Sequence, residues 1–169
     1  MYKNIAFGLT LLACAQAGAQ ASEIQIHGSD QTQTITCQND ALLIAGERNT
    51  ATIQGHCAEI RVEGADNTVS FTQADRLAVH GVRHHVSGGT AQELEAFGKD
   101  NTLELTLRQP SDAVQARIKG AGHRVNLQVA SQADIALDGA DNSLHWRRVA
   151  DAPDPRIVQH GARNRITQD

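Results

Sequence analysis

Apolar and polar residues alternate with a period of two along most of this chain, which is the pattern of β-strands that bury one face. Glycine interrupts the alternation at regular intervals. The apolar positions lie four and two residues before each glycine and five and seven residues after it: Leu42 and Ile44 precede Gly46, and Ala51 and Ile53 follow it. Each repeat is therefore predicted to be a strand, a tight turn and a second strand.

The glycine recurs eight times, and the third residue after it is usually asparagine or a residue that can replace it. The glycines are Gly28, Gly46, Gly64, Gly81, Gly98, Gly120, Gly139 and Gly161, with companions Gln31, Asn49, Asn67, His84, Asn101, His123, Asn142 and Asn164. We expect glycine to relieve the backbone strain of the turn and asparagine to supply its left-handed residue.

A single two-strand unit cannot bury its apolar face, whereas stacked units share one continuous core. The sequence therefore predicts an all-β fold, a small β-solenoid of about eight two-strand rungs of 17–22 residues. A parallel β-helix of this kind is expected to be right-handed. A meandering sandwich is the alternative, but it does not account for one turn signature at a nearly constant period. Gln33 and Gln168 fall at inward positions of the first and last units, as polar caps.

The composition bounds the partners. A 169-residue chain with 40% hydrophobic residues allows a single domain, predicted over residues 22–169. The formal net charge of -4 repels phosphate backbones, so nucleic acid is not an expected partner. Capped ends argue against a filament, and we expect a monomer that needs no cofactor.

Residues 1–21 have the features of a secretory signal peptide. Lys3 supplies the positive start, an apolar stretch follows, and Ala19-Gln20-Ala21 is a small-x-small cleavage site. The stretch Leu11-Leu12-Ala13-Cys14 is also similar to a lipobox, in which Cys14 becomes the lipidated first residue and the leader is residues 1–13. Both leave a mature chain without a transmembrane segment, exported to the periplasm and, if Cys14 is modified, anchored to a membrane by lipid.

The repeated apolar-x-apolar-x-Gly-x-x-Asn unit behind an export signal resembles the uncharacterised domain family numbered 3060. The stretch that carries the resemblance runs from Ile35 through the turns at Gly46 and Gly64 to Asn67. The resemblance implies a solenoid with no assigned activity, so no catalytic residue follows from it. It also implies a disulfide between Cys37 and Cys57, which the aligned repeats bring near each other and which an oxidising compartment favours.

The residue two places after each glycine alternates in charge along the stack, which predicts a solvent-exposed ladder of ion pairs. Its members are Asp30, Arg48, Asp66, Arg83, Asp100, Gly122, Asp141 and Arg163. The two long spacings contain Gln109-Pro110-Ser111-Asp112 and Ala152-Pro153-Asp154-Pro155, so loops are expected at the turn opposite the glycine.

Outward positions four and six after the glycine form a candidate binding face. In the first three units they are threonine and serine: Thr32, Thr34, Thr50, Thr52, Thr68 and Ser70. A hydroxyl lattice of this kind suits ice, sugars or a protein strand, but threonine is also an ordinary exposed strand residue. The pattern gives way to charged residues at Glu104 and Arg124.

The sequence pattern gives little indication of a catalytic site or a metal site. Glu63, His80, His84 and His85 are close enough in the aligned repeats for zinc to be considered, but we favour a polar turn surface and no metal. Asp112, Asp134 and Asp138 are the carboxylates nearest the longer loop, and no motif selects them. We therefore expect a non-enzymatic envelope protein that binds an unknown envelope protein or glycan, an inhibitor or immunity protein being one form. The alternatives are a structural or adhesion module and a carbohydrate-active enzyme.

Overall fold

The computed structural model describes residues 23–110 and 112–169, and every regular element in them is a β-strand. The leader and Cys14 lie outside the described residues. The strands are β1 (Glu23–Ser29), β2 (Thr32–Glu47), β3 (Thr50–Ala65), β4 (Thr68–Val82), β5 (His85–Lys99), β6 (Thr102–Leu107), β7 (Val114–Ala121), β8 (Arg124–Val129), β9 (Ala133–Ala140), β10 (Ser143–Arg148), β11 (Arg156–Ala162) and β12 (Arg165–Gln168). The predicted all-β solenoid of about eight turns is confirmed.

Successive coils stack in parallel, so that the glycine of each coil is level with the glycine of the next. Gly46 pairs with Gly64 in this way, and Gly120 pairs with Gly139. β2 to β5 each run from one glycine turn to the next, bending at the opposite corner. We call the strands that follow each glycine turn the post-glycine sheet: the first halves of β2 to β5, then β6, β8, β10 and β12. The pre-glycine sheet consists of β1, the second halves of β2 to β5, β7, β9 and β11.

The core lies between these two sheets and consists mainly of Ile, Leu, Val and Ala. Ile60, Leu77, Leu94 and Leu137 are fully buried, while Phe71 and Trp146 are the aromatic residues of the core in the described chain. Branched and small side chains suit so thin a layer because each coil contributes only a few inward positions to it. Gln33 and Gln168 are exposed at the two ends of the post-glycine sheet, consistent with polar caps.

Loops occur at one corner, as predicted. The coils that contain β6 and β10 leave the sheet at residues 108–113 and 149–155, directly after the post-glycine strand and opposite the glycine turn. Ser111 is outside the described residues. Within the described part of the chain there is no helix long and apolar enough to cross a membrane.

Candidate binding face

The glycine turns are built differently from the prediction. The residue with a left-handed backbone is the charged one two places after the glycine, as Arg48 (φ 53°) and Asp66 (φ 57°), and not the asparagine. Asn49, Asn67, Asn101 and Asn142 are instead buried. The expectation that asparagine supplies the left-handed conformation was therefore wrong. The asparagine side chain instead points inward and makes hydrogen bonds to the backbone of the preceding turn.

The buried asparagines form a hydrogen-bond ladder along the solenoid axis. Oδ1 of Asn67 accepts from the backbone N–H of Asn49 at 2.9 Å, and Nδ2 of Asn67 donates to the backbone oxygen of Gly46 at 3.0 Å. The same pair of contacts recurs at Asn49, Asn101, Asn142 and Asn164. Each side chain thus satisfies a donor and an acceptor of the preceding turn, which a buried turn cannot leave unpaired without cost.

His84 and His123 take asparagine's place in this ladder. Nδ1 of His84 accepts from the backbone N–H of Asn67 at 3.2 Å, and Nδ1 of His123 accepts from that of Asn101 at 3.3 Å. Nε2 then carries the proton and donates to the backbone oxygen four residues earlier, that of His80 or Lys119, at 3.3 Å. Burial lowers the pKa of both imidazoles below their ordinary 6.5.

This placement overturns the expectation that these histidines belong to an exposed polar turn. His84 is buried, whereas its neighbour His85 is exposed on the opposite side of the chain, on the outer surface of the post-glycine sheet. His80 stacks on Phe97 with ring centroids 5.2 Å apart. The four residues considered for zinc are therefore not brought together, and the described residues hold no cluster suited to a metal ion.

The charged column forms discrete ion pairs. The arginine of one turn forms an ion pair with the aspartate of the turn before it, and Arg48 Nε lies 2.8 Å from Asp30 Oδ1. Equivalent ion pairs join Arg83 to Asp66 and Arg163 to Asp141. These hydrogen bonds hold the pKa of all three aspartates below its ordinary value. The predicted ladder is present, but it is interrupted because Gly122 stands where Asp100 would meet its arginine.

The predicted disulfide is formed between Cys37 and Cys57, whose Cα atoms are 5.1 Å apart. Cys37 is level with Gly55 on the next coil, and the register shifts at the corner so that Cys57 is level with Asp40. Asn39 takes a positive φ of 68° at this shift. The corner thus supplies the bend that brings two cysteines from successive coils within bonding distance.

The hydroxyl side chains lie together as predicted. Thr32, Thr50 and Thr68 form one row across β2, β3 and β4, and Thr34, Thr52 and Ser70 form the next. We call these six residues the hydroxyl face. Ser70 Oγ donates to Thr52 Oγ1 at 3.4 Å, and the other four hydroxyls make no side-chain hydrogen bond within the described chain.

The rows of the hydroxyl face continue along the solenoid with a change of chemistry. The first row continues through His85 and Thr102 to Arg124, Ser143 and Arg165. The second continues through Ser87, Glu104, Asn126, His145 and Thr167. The outer surface of the post-glycine sheet is thus a neutral hydroxyl half followed by a basic half.

Asp134 and Asp138, two of the three carboxylates considered for catalysis, are not arranged as a pair. Asp134 accepts a hydrogen bond from Gln115 Nε2 at 3.2 Å, and Asp138 lies 2.9 Å from His160 Nδ1. Both are on β9, four residues apart, which corresponds to about 13 Å along a strand. Carboxylates of glycoside hydrolases stand roughly 5 to 9.5 Å apart.

The fold and these surfaces define a disulfide-linked parallel β-solenoid. Residues 44–92 match the model of a family described as a protein of unknown function (DUF3060), which supports a DUF3060-type domain in the chain and confirms the resemblance. The match covers the turns at Gly46, Gly64 and Gly81 and includes Cys57, while Cys37 lies before it. No curated protein and no solved structure gives a significant match.

Proposed function

We propose that this is a non-enzymatic exported envelope protein that acts as a binding module, with the hydroxyl face as its contact surface. The predicted leader and the Cys37–Cys57 disulfide support export, since disulfides persist in oxidising compartments. The periplasm is the proposed location, with membrane anchoring if Cys14 is lipidated.

The observation that carries the proposal is the register of the hydroxyl face. Parallel pairing places Thr34, Thr52 and Ser70 at successive strand spacings of about 4.8 Å on a sheet whose opposite side carries the buried Ile53 and Phe71. A surface held this rigidly loses little conformational entropy when a partner binds, which favours recognition of an extended molecule. Threonine hydroxyls both donate and accept hydrogen bonds, so the partner can present donors, acceptors or both to this face.

A carbohydrate-active enzyme is one alternative, for which Asp134 and Asp138 lie too far apart to act as a carboxylate pair. A structural or adhesion role is the other alternative. Inhibition of a toxin or lytic enzyme is one form that binding takes in a small exported module, and identification of the partner distinguishes it from adhesion.

The test is a pull-down from envelope extract with the disulfide-intact protein as bait, alongside a peptidoglycan pelleting assay. Thr52→Tyr places a bulky ring in the middle of the hydroxyl face. Ala136→Tyr adds the same ring to the outer surface of the pre-glycine sheet and serves as the control. The proposal predicts a retained component that Thr52→Tyr releases and Ala136→Tyr does not; capture unaffected by both variants, or no capture at all, would contradict it.

A further inference from the structure

Most arginines on the glycine turns and the pre-glycine sheet are paired with carboxylates, and Arg156 on β11 is the exception in the described chain. On the glycine turns and the pre-glycine sheet, six arginines lie within 4 Å of a carboxylate: Arg48, Arg61, Arg76, Arg83, Arg117 and Arg163. On the outer surface of the post-glycine sheet, Arg124, Arg147 and Arg165 have no carboxylate within that distance in the described chain. They remain unpaired although acidic residues outnumber basic ones by 19 to 15.

These three arginines lie on adjacent strands of the post-glycine sheet, β8, β10 and β12. Ser143 on β10 pairs with Arg124 on β8 and with Arg165 on β12, so the two arginines flank it at two strand spacings, about 9.6 Å. Arg147 is four residues along β10 from Ser143, on the same outward side. All three arginines are exposed. We call them the arginine patch.

Two carboxylates share this surface with the arginine patch. Asp169 lies 2.8 Å from Nε2 of His145, whose Nδ1 is 2.9 Å from Thr167 Oγ1, so this carboxylate already has a partner. Glu104 is on β6, beside Asn126 on β8 and one coil before the patch begins. The three arginines therefore exceed the two carboxylates locally, and a bound anion would complete the pairing that most arginines of the glycine turns and the pre-glycine sheet achieve internally.

The neighbouring half of the sheet indicates which anion fits. The row that contains Arg124 and Arg165 continues into the hydroxyl face, whose side chains are hydrogen-bonding groups without charge, and the second row of that face runs beside it. Large apolar or aromatic side chains are absent from these two rows in the described chain, although such side chains anchor most protein partners. An elongated molecule that carries both hydroxyl and acidic groups matches the two halves together.

We propose that the post-glycine sheet binds an anionic polysaccharide, with acidic groups on the arginine patch and sugar hydroxyls on the hydroxyl face. This inference rests on the proposed function and specifies the chemistry of the partner. Because the arginines are exposed, their contribution is screened by salt, and binding is expected to weaken as ionic strength rises.

The test measures binding to three polymers: polygalacturonate, which is an acidic sugar; dextran, which is a neutral one; and poly-glutamate, which has the charge but no sugar. Arg124→Gln with Arg165→Gln removes two charges from the patch. Lys119→Gln with Arg156→Gln removes two charges from the pre-glycine sheet, where neither side chain makes an ion pair within the described chain, so the two double variants have equal net charge.

We expect polygalacturonate to bind better than either other polymer, and the Arg124/Arg165 variant to bind it about tenfold more weakly at low salt while the Lys119/Arg156 variant is unchanged. Equal binding of poly-glutamate would overturn the inference in favour of an acidic polypeptide. Equal binding of dextran, or equal loss in both variants, would show that the arginine patch is not the site. If no polymer binds, the inference fails, while a pull-down partner released by Thr52→Tyr would still leave the proposed function intact.

Discussion

Nδ1 of His84 accepts the backbone N–H of Asn67 at 3.2 Å, the bond that an asparagine Oδ1 makes at other turns of the same ladder. The imidazole makes this bond only when Nδ1 has no proton. A protonated ring would direct a second N–H at the Asn67 amide and leave both donors unpaired in a buried position. The ladder therefore requires neutral histidine.

Stability should consequently fall in mild acid. The folded-state pKa of His84 and His123 is lowered, so their contribution is fully present above 6.5 and is lost as the pH falls from 6.5 towards the folded value. Each histidine adds a slope of up to about 1.4 kcal/mol per pH unit in that window. The charges facing His84 are Asp66 and Arg83, and Asp100 faces His123.

The double variant His84→Asn with His123→Asn should remove this slope while keeping the ladder. Chemical denaturation between about pH 7.5 and 5 measures it. His27→Asn, an exposed histidine outside the ladder, is the control and should keep the wild-type slope. Equal acid sensitivity in the double variant and the wild type would show that these histidines are not the cause.

Removal of a ladder side chain should be costly at every pH. Asn67→Ala leaves the Asn49 N–H and the Gly46 carbonyl without their side-chain partner, and we expect a loss of about 2 to 4 kcal/mol in unfolding free energy. Asn126→Ala, at an exposed position on the post-glycine sheet, should cost less than about 0.5 kcal/mol. Urea denaturation compares the two, and equal losses would contradict the role of the ladder.

The stacked glycines should tolerate no side chain once a coil lies beneath them. A Cβ at Gly98 would lie 2.0 Å from the backbone oxygen of Gly81, whereas at Gly28 the nearest atom is the flexible Gln31 Nε2 at 3.0 Å. Both positions have a similar positive φ, so alanine introduces a similar backbone strain at each and the difference between the variants reports the steric contact. We expect Gly98→Ala to cost about 1 to 3 kcal/mol more than Gly28→Ala, as measured by thermal unfolding.

The disulfide should stabilise one end of the solenoid locally. Cys37→Ala with Cys57→Ala opens a loop of about 20 residues and should lower stability by about 3 kcal/mol. Because coils contact only their neighbours, hydrogen exchange should accelerate in β2 and β3 more than in β7 and β9. Uniform acceleration across the chain would show that the coils unfold as one unit.

The gap in the charged column allows a constructive test. Gly122→Arg should form the missing pair with Asp100, because arginine already occupies the equivalent left-handed position in three other turns. Relative to Gly122→Ala, it should melt up to about 2 °C higher, and the difference should vanish in an Asp100→Asn background or in about 1 M NaCl. A difference that persists in the Asp100→Asn background would exclude the ion pair.

The solenoid and the pairing of its coils were predictable because period-two alternation and a recurring glycine admit few other arrangements. Cys37 and Cys57, and the rows of Thr50 and Thr52, followed from the same alignment. The roles within the turn did not follow. Asparagine tolerates left-handed dihedrals, so Asn49 was expected to adopt them, yet Arg48 does so and Asn49 points inward.

The position of His84 in the asparagine column was a signal that its ring replaces an amide. Its burial was missed because a histidine in a turn is usually exposed. The arginine patch was not recognised because the pairing of an arginine depends on neighbours from other coils. The aligned repeats place Arg124 in the same row as Thr102. They do not show whether a carboxylate from another coil lies near the guanidinium group of Arg124.

Coils of this protein differ in length at one corner only. The residues between β6 and β7, between β8 and β9 and between β10 and β11 absorb the larger departures from the shorter repeat, and the register shift between Ile53 and His56 absorbs a single residue, while the glycine turns on the opposite side keep a constant length. New sequence can therefore enter the chain at this corner without shifting the side-chain pattern of either sheet. Loops inserted at this corner by design should therefore leave the rest of the architecture unchanged, so that the solenoid can serve as a scaffold for displayed loops.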